Sequence, residues 1–208
     1  MFPLFLNIEN RLVLVVGGGP VGRRKAKALL QAGGQVRLVC LEPRPPEEPT
    51  DRLCWLHEPY RAEHLEGVAL AFAAGTADVN RQVIADARQR GIWINVADDP
   101  AAGDFFLPAV FRRGDLLIAV GTKGAAPELA QGVRDFLGDQ FDDAFQNWVA
   151  VLGRIRPLIL EKVSDPNQRR ELFYQLCRWD WLERFRHEDA AAVQAAMMDE
   201  VMQILQQP

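Results

Sequence analysis

Residues 12–33 read LVLVVGGGPVGRRKAKALLQAG, and this stretch decides the fold of the chain. It opens with the apolar run LVLVV, which is rich in β-branched residues and is typical of a buried strand. The run leads directly into the turn GGGPVG at residues 17–22, and apolar residues at helical spacing follow until Gly33. The stretch therefore predicts a strand, a glycine turn and a helix in immediate succession.

Three glycines of the turn have the spacing G-x-G-x-x-G of a dinucleotide site. Gly17 permits the tight turn, Gly19 has no Cβ to hold a pyrophosphate off the backbone, and Gly22 lets the helix pack close to the strand. The N-terminus of the helix then presents unpaired amide groups to the phosphates. The alternative is an ordinary strand–helix turn that is rich in glycine.

The rest of the first half continues the alternation of strands and helices. Further strands are predicted at 36–41, 53–56, 68–74 and 92–96, with a helix from Asp78, its expected N-cap, to Gly91. This order predicts an α/β fold with a Rossmann-like, doubly wound parallel sheet. The segment 1–7 is a short apolar lead-in that we interpret as a strand or a lid.

Composition and charge exclude several classes of protein. The chain has 208 residues, 49% of them hydrophobic, and a net charge of −4, so no overall polycation exists to bind nucleic acid. No apolar run reaches the roughly 18 residues of a membrane span. The first residues, MFPLFLNIENR, lack the basic region and cleavage site of a signal peptide. We therefore expect a cytoplasmic chain without nucleic-acid or membrane partners.

The cysteines and histidines predict neither a disulfide framework nor a metal site. Cys40, Cys54 and Cys177 are odd in number and far apart, and the three histidines form no ligand pattern.

Two predicted turns add candidate cofactor contacts to the glycine motif. Glu42 follows the second strand, twenty residues after Gly22, where an acidic residue binds the ribose hydroxyls and favours NAD over NADP. The alternative is a solvated loop glutamate, because Pro43 follows at once and fixes an unusual loop. Gly75 ends the strand at 68–74 with another small-residue turn beside the cofactor groove.

The second half begins with two predicted strands and a helix. The strands are expected at 105–107 and 116–120, and the helix runs from Pro127 to Gly138. The apolar face of this helix is expected to comprise Leu129, Val133, Phe136 and Leu137. The loop before it, GTKGAAP at 121–127, leads into a second helix N-terminus that could hold an anion.

From residue 141 the chain is predicted to be all-helical. A heptad-like seam steps by four and three residues, although Gly153 and Pro157 weaken or bend it, and its members are Phe141, Phe145, Trp148, Leu152, Ile155 and Ile159. Further capped helices begin at Asp165-Pro166 and after Glu188-Asp189. The seam could pack within the chain or against a second copy, and we favour helices of a dimeric module.

The chain resembles the precorrin-2 dehydrogenase family, which includes the N-terminal part of siroheme synthase. The resemblance covers essentially the whole chain. It is carried by residues 2–33, by VALAFAA at 68–74 with Asn80 beyond it, by INVADDP at 94–100 and by FFLPAVFRRGDLLIAVGTKGAAPELA at 105–130.

Membership would imply an oxidoreductase that uses NAD to convert precorrin-2 into sirohydrochlorin in siroheme (tetrapyrrole) biosynthesis. Some members are also ferrochelatases, a lyase activity, and members are homodimers. The implied architecture is an NAD-binding Rossmann-like domain at 1–112, a dimerisation region at 113–150 and a helical C-terminal domain at 151–208. The sequence ends at Pro208 without the methyltransferase domain of siroheme synthase, so we expect methylation to occur elsewhere.

The resemblance also assigns roles to single residues. Asp98, the first acid of INVADDP, matches the family's key carboxylate and would accept a proton during dehydrogenation. Pro20, Val21, Leu41 and Glu42 match cofactor contacts. The alternative for Asp98 is a solvated Asp-Asp-Pro turn.

The proposed substrate carries many carboxylates, which an acidic protein must bind through a local basic lining. Arg112, Arg113 and Lys123 are the candidates, although each could be a solvated surface charge. Asn95 matches a family asparagine, and Thr122 keeps a hydroxyl of the family's serine-rich loop. Ala126 departs from that loop by replacing a serine, which leaves Lys123 as a substitute.

Two other functions remain open at this point. One is a dinucleotide-sensing regulatory module without catalysis, and the other is an enzyme of the same fold with a different small metabolite. An acidic strand end beside an open, basic-lined cleft would favour the dehydrogenase.

Overall fold

A computed structural model describes residues 1–46 and 51–205 of the chain. The chain divides into two compact units, Met1–Leu107 and Pro108–Pro208. The first unit contains a parallel sheet and the second a β-hairpin followed by helices.

The first unit is built on a five-stranded parallel sheet with the order β3-β2-β1-β4-β5. Its strands are β1 (Leu12–Val16), β2 (Gln35–Cys40), β3 (Leu53–His57), β4 (Leu70–Ala73) and β5 (Trp93–Val96). Helix α1 (Pro20–Gln31) follows β1, and helix α2 (Ala77–Gln89) follows β4. The strand order reverses beside β1, and open α/β sheets bind ligands at the carboxyl ends of strands at such a switch point. The predicted Rossmann-like fold class is confirmed.

The central strand is buried on both faces, which explains its unbroken apolar sequence. Val13 and Val15 pack with Leu38 and Phe72 on one face of the sheet. Leu14 and Val16 belong to a second core on the other face. Each core is covered by one of the two helices, since Ala26 and Leu29 of α1 belong to the first core and Val83 and Ala87 of α2 to the second.

The second unit opens with an antiparallel hairpin of β6 (Ala109–Arg113) and β7 (Leu116–Val120). Helix α3 (Pro127–Gly138) packs on this hairpin so closely that a Cβ on Gly138 would lie 2.6 Å from Cδ2 of Phe111. Four further helices follow, namely α4 (Asp143–Lys162), α5 (Pro166–Leu176), α6 (Trp179–His187) and α7 (Ala190–Leu205). They enclose a core of their own that includes Trp148, Ile155, Leu182 and Met197.

Several predicted elements differ from the structure. Residues 105–107 form no strand, and Phe105 packs edge-on against Phe72 at a centroid distance of 5.4 Å. The strand lies instead at 109–113, so the expected domain boundary after Arg112 falls inside β6, and the one after residue 150 falls inside α4.

Local differences occur at three further places. Residues 1–7 form neither strand nor helix, and most of their apolar side chains are exposed. Thr76, not Asp78, occupies the N-cap position of α2, and Asp78 pairs with Arg81 in the first turn. Helix α6 was not predicted, although the caps of α5 and α7 at Asp165 and Asp189 were.

The two apolar stripes of the second unit differ in burial. The heptad-like seam is packed within the unit, since Trp148, Ile155 and Ile159 are buried in its core, and α4 continues through Pro157. Of the two packings left open by the sequence, the seam thus takes the one within the chain, and dimerisation of this module stays a prediction.

The stripe on α3 is the exposed one. Leu129 is 60% exposed, Val133 38% and Phe136 67%, whereas Ala130 is buried. The expected packing face of α3 thus points away from the hairpin it covers.

Candidate functional site

The glycine turn joins β1 to α1 at the switch point of the sheet. Gly17 has a φ of +114°, and a Cβ there would lie 2.3 Å from the carbonyl oxygen of Ala74. A Cβ on Gly22 would lie 1.9 Å from the carbonyl oxygen of Gly17. Neither position can accept a side chain without moving backbone, so these two glycines are required by the fold itself.

Gly19 differs from these two glycines, because a Cβ there would meet no protein atom within 4 Å and the fold itself does not require a glycine. It is the N-cap of α1, with extended backbone, and Pro20 takes the first helical position. The first amides of a helix have no intrahelical acceptor, and glycine offers no side chain to cap them. The open space in front of Gly19 and the amides of Val21 and Gly22 therefore fit a dinucleotide pyrophosphate.

Glu42 lies beside this turn, as the sequence predicted. Its Oε2 is 2.9 Å from the position that a Cβ on Gly18 would take. The loop is anchored from β3, since Trp55 Nε1 donates to the Glu42 carbonyl over 3.1 Å and His57 Nε2 to the Leu41 carbonyl over 2.8 Å. The Leu41 side chain is exposed. A carboxylate held there can accept hydrogen bonds from ribose hydroxyls and repels a 2′-phosphate.

Cys40 and Gly18 complete the floor of the turn. A Cβ on Gly18 would lie 2.6 Å from Cys40 Sγ, so this glycine is needed for packing. Burial raises the pKa of the Cys40 thiol to about 11. The group stays a thiol at neutral pH and donates to the Glu42 carbonyl over 3.3 Å. The G-x-G-x-x-G pattern does not include Gly18.

Gly75 and Asp98 are brought together by Asn80, a residue to which the sequence motifs assigned no role. The Gly75 amide donates to Asn80 Oδ1 over 2.9 Å, and Asn80 Nδ2 donates to Asp98 Oδ1 over 2.8 Å. Gly75 also abuts the glycine turn, because its nitrogen is 2.8 Å from the position of a Cβ on Gly17. The acidic strand end and the dinucleotide turn thus share one edge of the sheet.

Asp98 and its neighbour Asp99 differ in their partners. Asp99 accepts from the Ala102 amide over 3.3 Å and caps a short 3-10 turn. Asp98 is exposed and is held by Asn80. Asp99 thus caps the turn, whereas the role of Asp98 stays a prediction.

Asn95 lies inside the unit, with 6% of its surface exposed. Lys25 Nζ donates to its Oδ1 over 2.7 Å, and its Nδ2 donates to the Phe105 carbonyl over 2.9 Å. Burial lowers the pKa of Lys25, and its ammonium is 5.3 Å from the centroid of the Phe72 ring. Asn95 thus ties α1 to the segment after β5, and its amide is fully engaged within the protein.

The four other candidate substrate residues all lie in the second unit. Thr122 Oγ1 donates to the Ala126 carbonyl and accepts its amide, so the hydroxyl shapes the loop before α3. Lys123 adopts a φ of +55° in that loop and is exposed. Arg113 is 3.5 Å from an oxygen of Asp143, whereas Arg112 is exposed on the hairpin.

Neither a metal cluster nor a membrane-spanning helix is found within residues 1–46 and 51–205. No group of three or more His, Cys, Asp or Glu residues in that part of the chain could hold a metal ion. No helix there is long and apolar enough to cross a membrane.

The parallel sheet, the switch point and the glycine turn define a Rossmann-type dinucleotide-binding domain. The chain belongs to the family described as "Putative NAD(P)-binding", whose model matches residues 4–109, about half of the sequence.

The relatives of the whole chain carry the name siroheme synthase. The siroheme synthase of Chromobacterium violaceum is 34% identical over 206 residues, which is 94% of this chain and 43% of that protein. That of Neisseria meningitidis serogroup C is 34% identical over 92% of this chain and 39% of its own length. Siroheme synthase 2 of Aeromonas salmonicida is 35% identical over 82% of this chain and 36% of its own length. The chain thus spans about two fifths of the relatives it matches, and the resemblance seen in the motifs is confirmed.

The fold is also that of a solved structure. SirC, precorrin-2 dehydrogenase, matches with a TM-score of 0.77 and 23% identity, over 98% of this chain and 100% of that one. This likeness establishes that both units follow a known architecture.

Proposed function

We propose that this chain is an NAD-dependent precorrin-2 dehydrogenase that produces sirohydrochlorin in siroheme biosynthesis. The observation that carries the proposal is the Asp98 carboxylate, held by Asn80 on the same sheet edge as the dinucleotide turn. A siroheme synthase name on the relatives and the precorrin-2 dehydrogenase fold support the substrate. A module that only senses a dinucleotide needs the glycine turn but no such carboxylate.

The residues of the glycine turn and of β2 would hold the cofactor. Pro20, Val21 and the open face of Gly19 would receive the pyrophosphate, and Leu41 and Glu42 the adenosine end, with Glu42 favouring NAD over NADP. When bound, NAD supplies the hydride acceptor for a saturated carbon of the macrocycle.

Asp98 would accept the proton that is lost as the hydride leaves. Asn80 donates to Oδ1 of this carboxylate and so fixes its orientation, which leaves Oδ2 for the substrate. A base within hydrogen-bond reach of the proton is what general-base catalysis requires. Loss of one hydride and one proton balances the two-electron oxidation of the substrate.

Basic residues of the second unit would bind the carboxylates of the macrocycle. We assign this role to Arg112, Arg113 and Lys123, with Thr122 shaping the loop that carries Lys123. Asn95 would act from inside the first unit by tying α1 to the segment that follows Asp98.

A homodimer is part of the proposal, with residues 113–150 as its dimerisation region. Its support is the exposed apolar stripe of α3, Leu129, Val133 and Phe136, which is too hydrophobic for a surface helix face without a partner. Sedimentation of the wild-type chain and of Phe136→Glu tests this assignment. A wild-type chain that sediments as a monomer at micromolar concentration contradicts it.

Iron insertion and a cytoplasmic location belong to the same proposal as expectations from the family. Asp98 is the residue we assign to metal transfer, because transient transfer of ferrous iron needs only weak oxygen ligands. Sirohydrochlorin and ferrous iron, with and without the protein, test that step separately.

The central experiment supplies purified protein with NAD and with precorrin-2 generated in situ. We expect the absorption spectrum of sirohydrochlorin together with NADH. Asp98→Ala is expected to lose this turnover while it binds NAD as the wild type does. A wild-type protein that binds NAD and never forms sirohydrochlorin refutes the function, and unchanged turnover of Asp98→Ala refutes the role of Asp98.

A further inference from the structure

Asn80 is a polar side chain buried to 2% exposure in the first turn of α2. A buried amide is costly unless its atoms are hydrogen-bonded. The Asn80 amide forms hydrogen bonds with both backbone groups of Gly75 and with the Asp98 carboxylate. Its side chain is therefore fixed by the turn on one side and fixes the acid on the other.

We propose that Asn80 is a positioning residue that couples the dinucleotide turn to the proton acceptor. The inference rests on the proposed function of Asp98 and goes beyond it, because it makes the orientation of the carboxylate depend on Gly75. Gly75 abuts Gly17 of the glycine turn. One continuous set of contacts thus runs from Gly17 through Gly75 and Asn80 to Asp98.

The chemistry of the pair explains why an amide stands at this position. The Gly75 amide needs an acceptor, and the Asp98 carboxylate needs a donor. Only an asparagine of this length offers both on one rigid group. An aspartate would still accept from the Gly75 amide but would repel Asp98, and an apolar residue would leave the Gly75 amide without this acceptor and the exposed Asp98 carboxylate free to turn in solvent.

The decisive variant is Asn80→Asp, which keeps the acceptor for the Gly75 amide and removes the donor to Asp98, together with the longer 3.3 Å bond to the Gly75 carbonyl. The matched control is Gln82→Glu, the same amide-to-carboxylate change on the exposed side of α2. We expect the turnover number of Asn80→Asp to fall roughly 10²-fold, since misplacement of a catalytic group by about 1 Å has this effect. We expect its dissociation constant for NAD to stay within about threefold of wild type, because less than 1 kcal/mol of binding energy is altered.

Asn80→Ala tests the other half of the coupling. It releases the Gly75 amide as well as Asp98, and we expect it to weaken NAD binding roughly tenfold, the effect of one neutral hydrogen bond. Isothermal titration with NAD measures this without any turnover. NAD binding at wild-type strength in Asn80→Ala would show that Gly75 does not depend on Asn80, and would overturn the coupling.

The exchanged pair, Asn80→Asp combined with Asp98→Asn, separates positioning from catalysis. Because the donor and acceptor are reversed, their hydrogen bond can form again. We expect the melting temperature lost in Asn80→Asp, about 2–6 °C, to be largely recovered, while turnover stays absent. No recovery of melting temperature overturns the pairing of Asn80 with Asp98.

The same variants distinguish failure of this inference from failure of the proposed function. Wild-type turnover in Asn80→Asp overturns the positioning role even if Asp98 is catalytic. Recovery of turnover in the exchanged pair would show that a carboxylate at position 80 can replace the one at position 98, and would overturn the division of roles between the two residues. If the wild type forms no sirohydrochlorin at all, the melting temperatures and NAD titrations still decide whether the coupling exists.

Discussion

Gly19→Ala is the substitution that tests the dinucleotide site most directly. In the structure the added methyl group meets no protein atom within 4 Å, and the φ of −69° and ψ of 178° suit alanine. We therefore expect the free energy of unfolding to change by less than about 1 kcal/mol. The methyl group would fill the space that a phosphate needs to approach the helix amides.

The expected loss is one of binding and not of folding. A hydrogen bond to a charged group contributes about 1.5–3 kcal/mol, so losing one such contact weakens NAD binding roughly ten- to hundredfold. Gly22→Ala is the contrasting variant, because its methyl group would lie 1.9 Å from the Gly17 carbonyl oxygen. Overpacking of this kind destabilises by about 1–3 kcal/mol, so Gly22→Ala should lose stability as well as binding.

Urea unfolding and isothermal titration with NAD, performed on the same preparations, separate the two effects. Gly153→Ala serves as the control, since it also adds a methyl group that meets no neighbour, but in α4 of the second unit. It should bind NAD normally and be about 0.5–1 kcal/mol more stable. A Gly19→Ala protein with wild-type affinity for NAD would refute the placement of the pyrophosphate at this turn.

Three further predictions follow from other contacts. Glu42→Ala should weaken NAD binding roughly tenfold and reduce the preference for NAD over NADP. If the ratio of the dissociation constants for NADP and NAD is the same in the variant as in the wild type, the role of Glu42 is contradicted. Lys25→Met keeps the aliphatic stem over Phe72 but orphans Asn95 Oδ1, so the melting temperature should fall by about 2–6 °C. The Cys40 pKa of about 11 lies above that of an unfolded thiol, so the folded state holds this proton more tightly. The contribution of the Cys40 thiol to the free energy of unfolding is complete below about pH 8.5 and is lost as the pH rises to about 11. Thermal unfolding of Cys40→Ala, measured across this pH range, should lack this part of the pH dependence.

Local signals in the sequence were sufficient for the first unit. Repeated strand–helix alternation and the glycine spacing depend on neighbouring residues, and both predict the sheet and the turn correctly. Glu42 was predicted because its distance from Gly22 is fixed by the length of one helix and one strand. The end of the sheet was less predictable, since Phe105 packs against Phe72, a residue far from it in the chain.

Long-range contacts also account for what the motifs missed. Asn80 was part of the family resemblance but had no role assigned to it, and only the fold brings it to Gly75 and Asp98. Lys25 likewise reads as a surface lysine of α1 until β5 places Asn95 within 2.7 Å of it. In the second unit two apolar stripes had similar patterns, and the pattern alone did not tell which one the unit buries.

Strand β3 holds the backbone at Glu42, so the position of this residue does not depend on the sequence of the loop that follows it. Trp55 and His57 hold the carbonyl groups of Glu42 and Leu41 from the neighbouring strand, so the acidic residue is placed by the sheet. If Glu42 sets the preference for NAD, substitutions at Pro43 and Pro45 in the loop that follows should leave that preference unchanged. Evolution of cofactor choice in this fold would have to act on Glu42 itself or on the two aromatic side chains that hold its loop.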